Sequence, residues 1–154
     1  MRIPLSLIKK RNGELSELWV TAACRTEGCR CGIMAIDFVL DTGSSTSFVS
    51  YKDALNFNIP LNSLKSADHY YIAGGTYSFR KFPKLMVLAF KDDKDELVRL
   101  KMDPFYAVKP TKAKENAKED AERLPSVLGL DFLVKNGLAF HFDSVKGTAY
   151  FEKS

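Results

Sequence analysis

The chain has 154 residues, of which 45% are hydrophobic and 27% are charged, as in an ordinary single globular domain. The formal net charge is +4, and basic residues are interspersed with acidic ones, so the composition does not favour nucleic-acid binding. The apolar run near the amino terminus is too short for a signal peptide, and no stretch reaches a membrane-spanning length. We therefore expect one domain over residues 1–154, cytoplasmic, with no nucleic-acid partner and no membrane partner.

The three cysteines, Cys24, Cys29 and Cys31, lie within eight positions of one another. An odd number argues against a complete disulfide framework. A closed zinc site would need a fourth ligand, and this spacing is not that of a standard zinc knuckle. We predict free thiols in a hairpin loop, with a metal site or a redox pair as the alternative. No metal and no cofactor are expected elsewhere.

The first part of the chain has the pattern of strands and tight turns. Apolar residues alternate at positions 3, 5 and 7, and Asn12-Gly13 is typical of a hairpin turn that leads to a strand at about 18–23. An apolar strand is predicted over 33–40. The spacing of Ser50 and Asp53 is that of a capping box, which predicts a single helical turn through Leu55.

The second part continues this β pattern around one charged segment. Two strands joined at Gly74-Gly75 are predicted over 69–79, followed by strands at 85–90, 97–102 and 105–108. Residues 111–124 are nearly all charged or alanine, which indicates either an exposed helix with a narrow apolar edge or a solvated loop. A short strand at 127–128 then precedes a helix that begins after Gly129 and ends at Gly137. A hairpin of 138–142 with 148–151 completes the chain.

The residues with the clearest chemical character follow the strand at 33–40. Asp41 comes directly after four mainly apolar positions, and Thr42, Gly43, Ser44 and Ser45 follow it. A simple β-turn explains the pattern if Asp41 bonds its own backbone. An active-site loop explains it as well, because a carboxylate at the end of a buried strand is held in a defined position.

The Asp41-Thr42-Gly43-Ser44 segment resembles the active-site loop of aspartic proteases. With the hairpin at 71–79 and the segment 127–133, whose apolar pair is followed by Gly129, it resembles the retropepsin-like, single-lobe members over roughly residues 33–136. The resemblance implies an all-β fold: a closed barrel lobe with a flap hairpin and one short helix after Gly129. It also implies an aspartic endopeptidase that is active as a two-fold homodimer on a peptide or protein substrate. The alternative is an inactive or weakly active peptide-binding or assembly module.

Because each chain offers only one candidate aspartate, a catalytic pair requires a second copy of the chain. Asp143-Ser144-Val145 imitates a second loop, but valine lacks the conformational freedom of glycine, so a hairpin turn is the better interpretation. Two adjacent carboxylates cannot both ionise and therefore share a proton, which supplies a base and an acid together. The resemblance gives these roles to Asp41 of each subunit, joined on the two-fold axis.

The resemblance also implies roles for the neighbouring residues. Thr42 would hydrogen-bond across the axis, Gly43 would let the substrate strand approach, and Ser44 would hydrogen-bond the Asp41 carboxylate. The implied substrate-binding residues are Ser44, Ser45, Ala73, Gly74 and Gly75, the last two at the flap tip. Retroviral members carry an Asp and an Arg at the positions of Ser45 and Leu130. Their joint absence removes an ion pair near the dimer interface without leaving an unpaired charge.

Overall fold

The computed structural model describes residues 1–72, 75–111 and 124–153, and most of these lie in β-strands. The strands are β1 (Arg2–Pro4), β2 (Ser6–Lys9), β3 (Leu15–Thr26), β4 (Met34–Leu40), β5 (Phe48–Val49), β6 (Lys65–Ile72), β7 (Gly75–Lys81), β8 (Met86–Lys91), β9 (Leu97–Met102), β10 (Tyr106–Pro110), β11 (Ser126–Leu128), β12 (Leu138–Asp143) and β13 (Thr148–Lys153). Two α-helices, α1 (Tyr51–Asn56) and α2 (Leu130–Asn136), and a 3₁₀ turn (Leu61–Ser63) complete this part of the chain.

The larger sheet surrounds β4 with strands from both halves of the chain. Its strand order is β6-β7-β10-β5-β11-β4-β3-β8-β9, and β2 pairs with β3. Strand β4 pairs with β3 antiparallel and with β11 parallel. On β4, Met34, Ile36 and Phe38 are buried and alternate with exposed Ala35 and Asp37, as expected for a half-buried strand. The all-β prediction is confirmed, and closure of the sheet into a barrel remains a prediction.

The core beneath this sheet is rich in phenylalanine. Phe38 packs edge-on against Phe105 with ring centroids 6.4 Å apart, and Phe132 of α2 packs against Phe90 at 5.7 Å. A second apolar cluster joins the β6–β7 hairpin to β5 and β11 and contains Phe48, Tyr77, Phe79, Val108, Leu124 and Val127. The strands on either side of Asp41 therefore have packed support from both clusters.

The two ends of the described chain meet in a small second sheet with the strand order β1-β13-β12. Ile3 and Phe151 are opposite each other in this sheet and are fully buried. On its surface Arg2 Nε donates to Glu152 Oε1 at 2.9 Å, and this hydrogen bond lowers the pKa of Glu152. The predicted final hairpin is confirmed as β12 and β13.

The local signals for turns and caps are confirmed as well. Asn12-Gly13 lies between the paired strands β2 and β3, although β3 begins earlier and ends later than predicted. Ser50 caps α1 by accepting the N–H of Asp53 at 3.1 Å. Gly137 ends α2 in the left-handed conformation with φ 59°. The helix or loop predicted for the charged segment lies outside the described residues, apart from its ends at Thr111 and Leu124.

The cysteine prediction is wrong for two of the three residues. Cys29 and Cys31 form a disulfide in the connection between β3 and β4, with their Cα atoms 5.3 Å apart, within the range that a disulfide spans. Cys24 is a free thiol, buried in β3. Of the alternatives, the structure agrees with the redox pair, because Cys29 and Cys31 are paired with each other. Within the described ranges, no three His, Cys, Asp or Glu side chains form a group that could hold a metal ion.

None of the helices in the described part of the chain is both long enough and apolar enough to cross a membrane.

Candidate active site

Asp41 lies at the carboxyl end of β4, beside the end of β11. Its backbone N–H donates to the carbonyl oxygen of Leu128 at 3.0 Å, which continues the parallel pairing of the two strands by one bond. Leu40 and Leu128 are buried, whereas Asp41 is exposed. The sheet thus fixes the backbone of a carboxylate that remains accessible to solvent.

The loop that follows Asp41 holds the carboxylate by its own backbone. Asp41 Oδ1 accepts the N–H of Gly43 at 2.9 Å, and the carbonyl oxygen of Asp41 accepts the N–H of Ser44 at 3.1 Å. A Cβ at position 43 would lie 3.1 Å from Asp41 Oδ1, so a larger residue would crowd this oxygen. This is the bonding expected of a β-turn, and it also fixes the direction of the carboxylate as an active site requires.

The Ser44 hydroxyl does not hydrogen-bond the Asp41 carboxylate, although the resemblance implied that it would. Its hydroxyl donates to the carbonyl oxygen of Thr46 at 2.8 Å, so its single proton is used within the loop and is not available to the Asp41 carboxylate. The carbonyl oxygen of Ser44 accepts the N–H of Leu130 at 2.8 Å. The role predicted for the Ser44 side chain is therefore corrected: Ser44 shapes the loop and joins it to the start of α2.

A buried serine and an aspartate join the loop to the segment after β11, and sequence reasoning missed both. Ser47 is fully buried, and it donates its hydroxyl to Asp131 Oδ1 at 2.6 Å and its N–H to Asp131 Oδ2 at 3.0 Å. Ser47 Oγ in turn accepts the N–H of Gly129 at 2.8 Å. These three bonds fasten the Asp41 loop to α2. The only signal was at Asp131, a charged residue within an otherwise apolar segment.

Gly129 is required by close packing rather than by its backbone conformation. A Cβ at this position would lie 2.5 Å from the carbonyl oxygen of Ser44, although φ is −102°, which any residue adopts. The Asp41 loop therefore touches the backbone of the segment after β11. Two of the three sequence segments that suggested a site, 41–44 and 127–133, are in direct contact.

The other predicted site residues divide between the loop and the hairpin. Thr42, Gly43 and Ser45 are exposed on the same loop as Asp41. Gly75 begins β7 and pairs with Ile72 of β6, as a hairpin requires. Ala73 and Gly74 lie outside the described residues. Two surface cavities lie elsewhere, one beside the β12–β13 hairpin and one between β4 and α1, and Asp41 lines neither.

The apparent second loop at Asp143 is a turn, as predicted. Asp143 Oδ1 accepts the N–H groups of Val145 and Lys146, each at 2.9 Å, in the connection between β12 and β13. This carboxylate is thus used to cap its own turn.

The structure can now be compared with known proteins. The chain aligns with a crystal structure of a retropepsin-like aspartic protease from Rickettsia conorii at a TM-score of 0.58 and 17% sequence identity. The alignment covers 98% of this chain and 89% of that chain. The chain has the retropepsin-like fold. No protein-family model matches the sequence, and no curated protein matches it either.

The retropepsin-like fold agrees with the resemblance that the sequence suggested. It accounts for the parallel contact of β4 with β11, since this contact brings the Asp41 loop against the segment at Gly129. One fold serves many functions, so the chemistry of this chain depends on the residues of the Asp41 loop.

Proposed function

We propose that the protein is an aspartic endopeptidase that works as a homodimer, with Asp41 of each subunit forming the catalytic pair. The observation that carries the proposal is the state of Asp41: exposed, at the end of a central strand, with one carboxylate oxygen held by the N–H of Gly43. The retropepsin-like fold supports it. The substrate is a peptide or protein chain in an extended conformation.

The chemistry follows from two carboxylates in contact. Hydrolysis of an amide needs a base that takes a proton from water and an acid that protonates the leaving nitrogen. Carboxylates that share a proton meet both needs, because the ionised one activates the water and the protonated one donates. The dyad of the aspartic proteases is the established example of this behaviour. Water adds to the carbonyl carbon, the C–N bond breaks, and the products are an acid and an amine.

The second carboxylate comes from a second copy of the chain. Asp131 is bound by Ser47, and Asp143 accepts two N–H groups of its own turn where Asp41 accepts one; both are also less exposed than Asp41. An isologous dimer would place both Asp41 residues on its two-fold axis. Thr42 would then hydrogen-bond the facing loop across that axis.

The remaining residues serve substrate binding. Gly43 has no side chain and Ser45 has a small polar one, so the loop leaves room for the substrate backbone beside it. Ala73, Gly74 and Gly75 are proposed, as the sequence resemblance implies, to act as a flap that adds backbone hydrogen bonds to an extended peptide. The cytoplasmic location expected from the sequence stays a prediction.

The test is turnover of a mixed peptide library by the purified full-length chain, with pepstatin as inhibitor. Asp41→Asn keeps the size of the side chain but cannot exchange the proton, so it should abolish cleavage. Asp143→Asn is the matched control, because it changes a carboxylate in a turn and should leave turnover unchanged. A folded, dimeric protein that neither cleaves peptides nor binds pepstatin would contradict the proposal and favour a peptide-binding or assembly module.

A further inference from the structure

The Cys29–Cys31 disulfide lies in the connection between β3 and β4, at the end of β4 opposite Asp41. Both of its cysteines are partly exposed, whereas Cys24 is fully buried in β3. Exchange between a disulfide and a thiol in solution requires that the thiol reach a sulfur atom. Of the three cysteines, the pair is therefore the part of the chain that is open to this chemistry.

The connection is fastened to the sheet independently of the disulfide. Cys24 and Met34 are opposite each other where β3 pairs with the start of β4, which brings the two ends of the connection together. The buried Thr26 hydroxyl also donates to the carbonyl oxygen of Leu85 at 3.0 Å. The disulfide encloses a single residue, and the stabilisation that a disulfide gives through chain entropy is smallest for the shortest loops. We therefore expect the fold to persist when this bond is opened.

Basic side chains predominate around the pair. Arg25 and Arg30 are exposed in the connection, and a Cβ at Gly28 would lie 3.7 Å from the side chain of Lys84. Glu27 is the single acidic residue of this segment. Positive charge stabilises a cysteine thiolate, which is the leaving group when the disulfide opens and the nucleophile when it closes. It also attracts a thiol that carries negative charge.

We propose that Cys29 and Cys31 form a redox-active pair that exchanges reversibly with an anionic thiol of the glutathione type. The thiolate of one glutathione attacks a sulfur of the pair, and the Cys29–Cys31 bond breaks. A second glutathione thiolate then displaces the other cysteine from the mixed disulfide, and each released cysteine thiolate takes up a proton. Two electrons pass to the protein, which gains two thiols, while the two glutathiones become one oxidised glutathione. This chemistry does not depend on the proposed peptidase activity.

The first experiment counts the thiols of the folded, full-length chain by alkylation with iodoacetamide and mass spectrometry. Oxidised protein should take up no label. Protein equilibrated with excess reduced glutathione, which is then removed, should take up label at Cys29 and Cys31 alone, because Cys24 is buried. Excess oxidised glutathione should reverse the change, and circular dichroism should be the same in both states.

The single variants Cys29→Ser and Cys31→Ser test access to each sulfur. Each variant leaves one thiol of the pair without a neighbour that could resolve a mixed disulfide. Oxidised glutathione should therefore leave one bound glutathione per chain in either variant. The double variant should bind none, since Cys24 is buried.

Lys84→Gln tests the contribution of the basic surroundings. The matched control is Lys94→Gln, because Lys94 is an exposed lysine in the turn at the other end of β8. Reduction by glutathione should be about two- to fivefold slower in Lys84→Gln than in wild type, the range expected for one exposed charge. The control should react at the wild-type rate.

A pair that resists excess glutathione in the folded protein and is reduced only on unfolding would overturn the inference. A pair that stays as two thiols in excess oxidised glutathione would overturn it as well. Equal rates in Lys84→Gln and Lys94→Gln would exclude the selection of an anionic donor by charge. A failure of the proposed function is distinct from all of these, because it would appear as absent peptide cleavage with normal exchange at the pair.

Discussion

The contact between Gly129 and the Asp41 loop allows one substitution to be worked out in detail. In Gly129→Ala the new methyl group would lie 2.5 Å from the carbonyl oxygen of Ser44 and 3.3 Å from the carbonyl carbon of Thr46. All of these neighbours are backbone atoms and cannot rotate away. The substitution must therefore move the Asp41 loop and the start of α2 apart.

The cost follows from the bonds that this separation breaks. The Gly129 N–H to Ser47 Oγ bond and the Leu130 N–H to Ser44 O bond, both 2.8 Å, cross the contact. Each contributes about 1 kcal/mol, and overpacking by one methyl group adds about 1–3 kcal/mol. We expect Gly129→Ala to lower the free energy of unfolding by about 3–5 kcal/mol in total. Turnover should fall as well, because the shifted loop carries Asp41.

Gly137→Ala is the matched control at the other end of α2. Its φ is 59°, which disfavours alanine, but nothing lies within 4 Å of the new Cβ. The expected loss is about 1 kcal/mol from backbone conformation alone, with turnover unchanged. The two variants thus separate close packing from conformational strain.

Urea denaturation of both variants gives the free energies of unfolding, and peptide turnover is measured where each remains folded. Equal stability losses at positions 129 and 137, with normal turnover in Gly129→Ala, would refute the reasoning. That outcome would mean that the loop yields to the added methyl group without moving Asp41.

Three further predictions concern the proposed pair of Asp41 residues, the contact of Ser47 with Asp131, and the free thiol of Cys24. Refolding wild type with an equal amount of Asp41→Asn should leave about a quarter of the activity per dimer, since only a quarter of randomly paired dimers carry two aspartates; a drop to one half would exclude a shared site. Ser47→Ala and Asp131→Ala should each cost about 2 kcal/mol in urea denaturation and be less than additive together, because both remove the bond from Ser47 Oγ to Asp131 Oδ1; simple additivity would contradict the coupling. Burial raises the pKa of Cys24 to about 12, with the nearby charge of Asp53 adding to the effect, so an alkylating reagent at neutral pH should modify this thiol only after unfolding, as mass spectrometry would show.

Much of the fold was predictable because its signals are local. The cap at Ser50, the Asn12-Gly13 turn and the left-handed Gly137 each depend on residues within a few positions of one another. The same holds for the Asp41 loop, where Gly43 and Ser44 bond to Asp41 itself. Short-range hydrogen bonds and backbone conformation can be inferred from neighbouring residue types, so the strand, the turn and the position of the Asp41 carboxylate at the strand end were predictable.

The contacts that hold the Asp41 loop in place form only in the tertiary structure. Ser47 and Asp131 are 84 positions apart, and nothing in either local segment indicates that they meet. The need for glycine at 129 likewise arises from the backbone of Ser44, 85 positions earlier in the chain. Such contacts depend on how β4 and β11 pair across the sheet, and pairing between distant segments leaves no periodic or short-range pattern in the sequence.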